Sequence, residues 1–290
     1  MHLKPSIGLL SAKNGMNLSR GCIHGCIYCD ARSKCYQINH EFEDVEIKIN
    51  APELLENALK RKRKKCMIGT GAMSDPYVPI PESLKNTRTC LEIIAQHGCG
   101  VAIHTKSNLI LRDLDILKKI NEKAKCVVET TLTTADEGLC RIVEPNVCTT
   151  KKRVEMLQTM QENGVKTVVW FTPLLPYIND SEENVQKVLS YCVNAGVYGI
   201  LCFGIGLTLR EGNREYFYSQ LDRHFPGLSD RYRQKYGNSY AVMSDNNDAL
   251  MQLFYRTCHE HGIVCNNEEI FRYMNVFEAK NEPRQLQLFE

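Results

Sequence analysis

Five short, continuously apolar runs punctuate the chain: "CMIGT" (66–70), "VAIHT" (101–105), "CVVETTL" (126–132), "KTVVWF" (166–171) and "GILCFG" (199–204). They are rich in β-branched residues and unbroken by polar alternation, the pattern of parallel strands covered on both faces. Between them lie segments with helical start and stop signals. Residues 52–64 open with Pro52 behind Asn50, and residues 83–97 end at Gly98. Residues 113–123 start at Asp113, residues 150–163 end at Gly164, and residues 181–195 run from an Asp180 or Ser181 cap to Gly196. "MNLS" (16–19) adds a strand ahead of the five. This alternation predicts an α/β fold, a partial (β/α)6 TIM-like barrel or an open parallel sheet. In a barrel the segments after the strands converge on one face, where chemistry is built. Those segments are Cys22 to Cys29, "GTGAMSDPY" (69–77), "TKSN" (105–108), "TTLTT" (130–134), "TPLLPYIND" (172–180) and "GIGLTLR" (204–210).

The pattern changes after about residue 204. Residues 1–210 read as the barrel and 211–280 as a helical C-terminal extension over its mouth, with helices at 245–261 and 268–277. Residues 281–290 read as a mobile tail.

Composition adds limits. The 290 residues carry a net charge of only +2, so nucleic-acid affinity requires a local patch. No 18-residue apolar segment and no N-terminal apolar run occur, which predicts a soluble, cytoplasmic protein with no membrane partner. Of fourteen cysteines, the eleven outside positions 22, 26 and 29 sit singly and in a chain this long point to buried free thiols in a reducing compartment rather than a disulfide scaffold.

The other three cysteines stand apart. "RGCIHGCIYCDARSKC" (20–35) places Cys22, Cys26 and Cys29 with gaps of three and two residues. Zinc wants four ligands, and His24 and Cys35 could complete such a site, giving a non-catalytic zinc-stabilised nucleic-acid-binding module. Three thiolates on one tight loop also suit a four-iron cluster with one iron left open to a small molecule.

The C-x3-C-x2-C spacing, with Tyr28 before the third cysteine, resembles the radical S-adenosylmethionine (SAM) superfamily. "GCIHGCIYCDAR", "SDPYVPIPE", "TKSNLILRDLDIL", "TLTTADEGLCRIVEPN", "KRVEMLQTMQENG" and "PLLPYIND" are similar to the branch related to spore photoproduct lyase, over roughly residues 16–205. The resemblance implies a 4Fe–4S cluster on Cys22, Cys26 and Cys29. It implies SAM held by Tyr28 at the adenine, Lys106 and Thr131 near carboxylate and ribose, and Ser74 and Asp75 near the amino end. It implies reductive cleavage of SAM to a 5′-deoxyadenosyl radical, an external electron donor, and a DNA-repair-like lyase acting on nucleic acid. Radical modification of a peptide or small metabolite is the alternative. Two positions depart from the lyase: Ala72 stands where it has a hydrogen-returning cysteine, and Asp30 where it has a tyrosine after the third cluster cysteine.

Four other features carry readings. "KRKRKK" (60–65) closes a helix, where cations suit the dipole, on the face away from the site. The Arg- and Tyr-rich stretch 210–240 offers phosphate and base contacts, or simply packing. "CHEHGIVC" (258–265) reads as core thiols rather than a metal site. The tail "QLQLF" resembles the pentapeptide that docks bacterial repair proteins on the DNA sliding clamp, with Gln285, Leu286, Leu288 and Phe289 as contacts.

Overall fold

The computed structural model describes residues 1–279. A six-stranded parallel sheet forms the centre, with strands in sequence order: β2 (Gly15–Met16), β5 (Met67–Thr70), β6 (Gly100–His104), β7 (Cys126–Thr131), β8 (Lys166–Trp170) and β9 (Gly199–Leu201). Among the described residues β2 and β9 do not pair with each other, so the barrel is open. Five helices fill the crossovers: α1 (Ala51–Lys60), α2 (Pro81–Gln96), α3 (Leu114–Lys123), α5 (Thr150–Glu162) and α6 (Glu182–Asn194). The short α4 (Glu137–Val143) precedes α5.

The unbroken apolar strands have the predicted cause. Ile68, Val101, Ile103, Val128, Val169 and Ile200 face outward into one core with the helices. Met67, Ala102, Val127, Val168 and Leu201 face inward, where Ile270 and Met274 meet them. Those two belong to α10 (Asn267–Asn275), which enters the barrel instead of capping its mouth. This corrects the expectation of an extension lying wholly over the mouth: the inner strand faces are too apolar to leave empty, and α10 fills them. Lys125 holds its C-terminal end, donating to the carbonyls of Tyr273 (2.8 Å) and Val276 (3.2 Å). Truncating Ile270 to Ala would cost about 2–5 kcal/mol.

The rest of the extension divides. Helix α9 (Asn247–Glu260) packs against α6 in the outer ring, burying Cys258. Helices α7 (Asn213–His224) and α8 (Leu228–Tyr236) pack Phe217, Tyr218, Leu221 and Tyr232 against Cys26, Ile27, Tyr28 and Leu175 at the mouth. Strands β10 (Gly206–Thr208) and β11 (Ala241–Met243) form an antiparallel ribbon beside them.

The first strand is shorter than expected. After Met16 the chain leaves the barrel, and β3 (Ser19–Arg20) pairs antiparallel with β4 (Glu46–Lys48), which also pairs parallel with β1 (His2–Lys4). Burial of Val45 and Ile47 anchors that small sheet.

Candidate functional site

Glycines set the course of the cysteine loop. Gly21 has φ +80°, and a Cβ there would lie 2.4 Å from the Phe42 carbonyl oxygen. The next residue, Cys22, donates its N–H to that same oxygen at 2.9 Å. On the other side, Ile27 N–H donates to Val143 O (3.0 Å) and Asn146 N–H to His24 O (3.1 Å). The loop is therefore clamped between the segment before β4 and the end of α4. Gly71 in "GTG" has φ +98° because its backbone runs against the His104 carbonyl, 1.8 Å from where a Cβ would sit. It serves strand packing.

These loops enclose a chamber of about 550 Å³ at the C-terminal ends of the strands. Cys22, Cys26, Cys29, Tyr28, Ser74, Asp75, Lys106 and Thr131 all line it, as does Ala72. Ser74 and Asp75 spend their polar atoms on the protein. Ser74 Oγ donates to Gly21 O at 2.6 Å. Asp75 accepts from His24 Nε2 (2.9 Å), Thr105 Oγ1 (2.7 Å), Lys106 N–H (2.8 Å) and Tyr77 N–H (2.8 Å). Burial works against that carboxylate, but His24 and the donated bonds hold its pKa down at about 2. Asp75 thus ties the ends of three strands together.

A buried charge network backs the thiols. Lys106 Nζ lies 3.6 Å from Cys26 Sγ, 3.6 Å from Glu144 Oε1, and 4.8 Å from the Tyr28 ring centroid. Glu144 also accepts from Tyr28 Oη and Arg153 Nη2, and both Glu144 and Arg153 are wholly buried. Arg153 Nη1 donates to Thr131 O at 2.8 Å. Burial opposes the Glu144 charge, yet Arg153 and Lys106 hold its pKa at about 2. Two cations share one carboxylate, so the chamber wall has positive charge to offer an anionic ligand. The sequence reading missed Glu144, Arg153 and the tie from His24 to Asp75.

The floor is aromatic. His104 stacks on Trp170 at 5.3 Å and 7°, and Trp170 lies 6.0 Å from Phe203, which is 54% exposed. His104 Nε2 is 3.0 Å from Thr131 Oγ1. Burial, then the charge of Lys106, pushes His104 down to about 4 and keeps it neutral. Trp170 Nε1 donates to Glu129 at 2.7 Å; burial raises that carboxyl to about 7, against the hydrogen bond.

The three thiols fit a cluster better than zinc. Burial raises all of them, Cys26 to about 12 against the pull of Lys106, so their ionisation calls for a bound metal or a cation. Zinc would need four donors packed closely. His24 has both ring nitrogens engaged, Nδ1 lying 3.2 Å from Asn146 O. Cys35 is exposed, 3.9 Å from Arg210 Nη1. Among the described residues no cysteine belongs to a group of three or more His, Cys, Asp or Glu with ligand atoms within 4.8 Å of one another. Three thiols lining one chamber would suit a larger iron–sulfur cluster.

The other sequence candidates lie elsewhere. Residues 60–65 are exposed at the end of α1, leading to the N-terminal end of β5. In the Arg/Tyr stretch, Arg210 joins Asp30 (3.1 Å), Tyr36 (2.9 Å) and Tyr240 (3.0 Å), linking the cysteine loop to the ribbon. Arg231 stacks on Tyr177 at 3.6 Å. Gln285, Leu286, Leu288 and Phe289 lie outside the described residues.

An open parallel barrel whose first loop turns three thiols into one chamber, beside a partly buried ammonium, is the architecture of a cluster-bearing SAM enzyme. Residues 16–189, more than half of the chain, match the sequence profile of the Radical SAM superfamily, and the protein belongs to that family. It is a radical SAM enzyme, and its cofactors are the family's 4Fe–4S cluster and SAM. An uncharacterized protein of Mycobacterium tuberculosis is 29% identical over 276 residues, covering 89% of this chain and 78% of its own. A solved spore photoproduct lyase variant shares the fold with a TM-score of 0.65 at 15% identity, over 89% of this chain and 78% of that one. Another variant, with bound AdoMet and dinucleoside spore photoproduct, matches with a TM-score of 0.61 at 14% identity, over 84% and 73%.

Proposed function

We propose that this radical SAM enzyme acts on nucleic acid by lyase-like repair chemistry. The observation that carries the reading is the aromatic floor: Trp170 and the exposed ring of Phe203 give a planar base a surface to stack on, inside the chamber that the cluster thiols line. The likeness in fold to a spore photoproduct lyase solved with bound dinucleoside spore photoproduct supports it.

The chain's own residues divide the work. Cys22, Cys26 and Cys29 would hold the cluster, which when bound would supply the electron for reductive cleavage of SAM. Lys106 would pair with the SAM carboxylate, and Tyr28 and Thr131, which line the same chamber, would meet its adenine and ribose. Ser74 and Asp75 shape the loop after β5, which would lie near the amino end of SAM. Ala72 leaves the chamber wall without the lyase's thiol, so the reaction on thymine dimers is not carried over. The enzyme works in a reducing cytoplasm with an external electron donor, and its tail docks on the DNA sliding clamp.

The test is anaerobic. Protein reconstituted with iron and sulfide receives dithionite and SAM, and 5′-deoxyadenosine is measured with and without damaged DNA. Stimulation by one lesion is the expected result. Formation of 5′-deoxyadenosine that no DNA or RNA alters, but a peptide or metabolite does, would overturn the substrate class.

A further inference from the structure

A second group of ligand-type side chains lies outside the chamber, on the small sheet. β1 and β4 pair His2 with Glu46, and the loop before β4 brings His40 to them. His2 Nε2 is 3.4 Å from Glu46 Oε2. The rings of His2 and His40 meet edge to face at 5.0 Å. The ligand atoms of all three residues lie within 4.8 Å of one another, and among the described residues no other such group exists.

The far side of each ring is already oriented. His2 Nδ1 is 3.3 Å from Asp44 Oδ2, and His40 Nδ1 is 2.8 Å from the Glu41 carbonyl. Those acceptors favour a proton on each Nδ1, leaving the Nε2 lone pairs as the ligating atoms, the arrangement that orients histidines on metals. His40 Nε2 is shielded from solvent and has no hydrogen-bond partner among the described residues. Buried polar nitrogens are rarely left so, and a bound cation would satisfy this one. Lys4 Nζ stands 3.3 Å from Glu46, but its side chain is 62% exposed and free to swing away.

We propose that His2, His40 and Glu46 bind one zinc-class divalent ion. Two imidazoles and a carboxylate are a zinc donor set, with water as fourth ligand. Bonds of about 2.0–2.1 Å in a tetrahedron separate ligand atoms by roughly 3.3 Å, close to the 3.4 Å between His2 and Glu46. The ion joins β1, β4 and the loop that carries Phe42. The Phe42 carbonyl receives the Cys22 N–H, so the ion braces the segment that positions the first cluster thiol.

The experiment uses the full chain carrying its cluster, without air. Zn2+ is titrated in competition with a chromophoric chelator, and zinc and iron per chain are measured after desalting. One zinc beyond the cluster is expected, with a rise in Tm. His40→Ala and Glu46→Gln each weaken binding more than about 100-fold and abolish that rise, and Asp44→Asn weakens it about 10–100-fold, all with iron unchanged. Zinc on other thiols would not respond to these changes. No zinc uptake by the parent, or uptake that the isosteric Glu46→Gln leaves intact, overturns the site; that variant decides should His40→Ala fail to fold.

Discussion

The ammonium of Lys106 lies 3.6 Å from the Glu144 carboxylate, and that carboxylate also takes the guanidinium of Arg153. A single buried anion serving one buried and one partly buried cation cannot neutralise both. The excess charge falls on Lys106, the one of the two that lines the chamber. Lys106→Met should therefore weaken SAM binding about tenfold or more, the order of one lost charge-assisted hydrogen bond, while the iron content stays at the parent level. Equilibrium binding of SAM to the reconstituted variant checks this, and unchanged affinity would remove Lys106 from the SAM site.

The same arrangement makes Glu144 a stability residue. Glu144→Gln leaves Arg153 buried without its counter-ion, and breaking a buried pair in this way costs about 3–5 kcal/mol. Replacing both partners, as Glu144→Gln with Arg153→Met, removes the stranded charge and should recover part of the loss. Denaturant unfolding of the three proteins measures it. A single variant as stable as the parent would show that Arg153 finds another partner.

Cys26→Ala should lose iron and all 5′-deoxyadenosine formation. Cys35→Ala, whose thiol is exposed beside Arg210, should keep both. Iron analysis and product assay on the two variants separate a three-thiolate cluster from any site that recruits Cys35.

The barrel was legible because strands buried on both faces must be apolar throughout, and all six appear in sequence order. What stayed hidden has physical reasons. β4 is three residues long, and only the alternation of Val45, Ile47 and Ile49 marks it. α10 was readable as a helix, but amphipathicity does not say which surface Ile270 and Met274 will cover. Nothing in the local sequence pairs Glu144 with Arg153, because the two meet only where α5 packs beside the end of α4. One signal was available: Arg153 shares the buried face of α5 with Thr150, Leu157 and Met160, a core position for a charged side chain. The grouping of Cys22, Cys26 and Cys29 was legible because their spacing is local, and the fold turns all three to one chamber; the aromatic floor was not, because Trp170 ends β8 and Phe203 follows β9, and they meet only in the fold.

The tail makes a separable claim. If "QLQLF" docks on the sliding clamp, replacing Leu288 and Phe289 by Ala removes the two side chains that would fill its pocket. Clamp binding, measured by calorimetry, should vanish while SAM cleavage continues unchanged. No affinity in the parent protein would end the reading.

Glu129 supplies a pH test with a definite sign. Burial lifts its carboxyl from 4.5 to about 7 in the folded protein. Between those values the folded state holds a proton that the unfolded state has released, so this residue's contribution to stability is full below pH 4.5 and lost as pH rises through 7. His104 works in the opposite direction: lowered from 6.5 to about 4, it makes stability fall as pH drops through that window. The two slopes nearly cancel in the parent between pH 4.5 and 6.5, which hides them. Glu129→Gln removes one of them and keeps an acceptor for Trp170 Nε1. Relative to the parent, the variant should gain about 3 kcal/mol between pH 4 and pH 8, from roughly 1.4 kcal/mol per unit of pKa difference. Denaturant unfolding at the two pH values gives the difference directly, and a gap that does not change with pH would mean that Glu129 ionises freely in the fold.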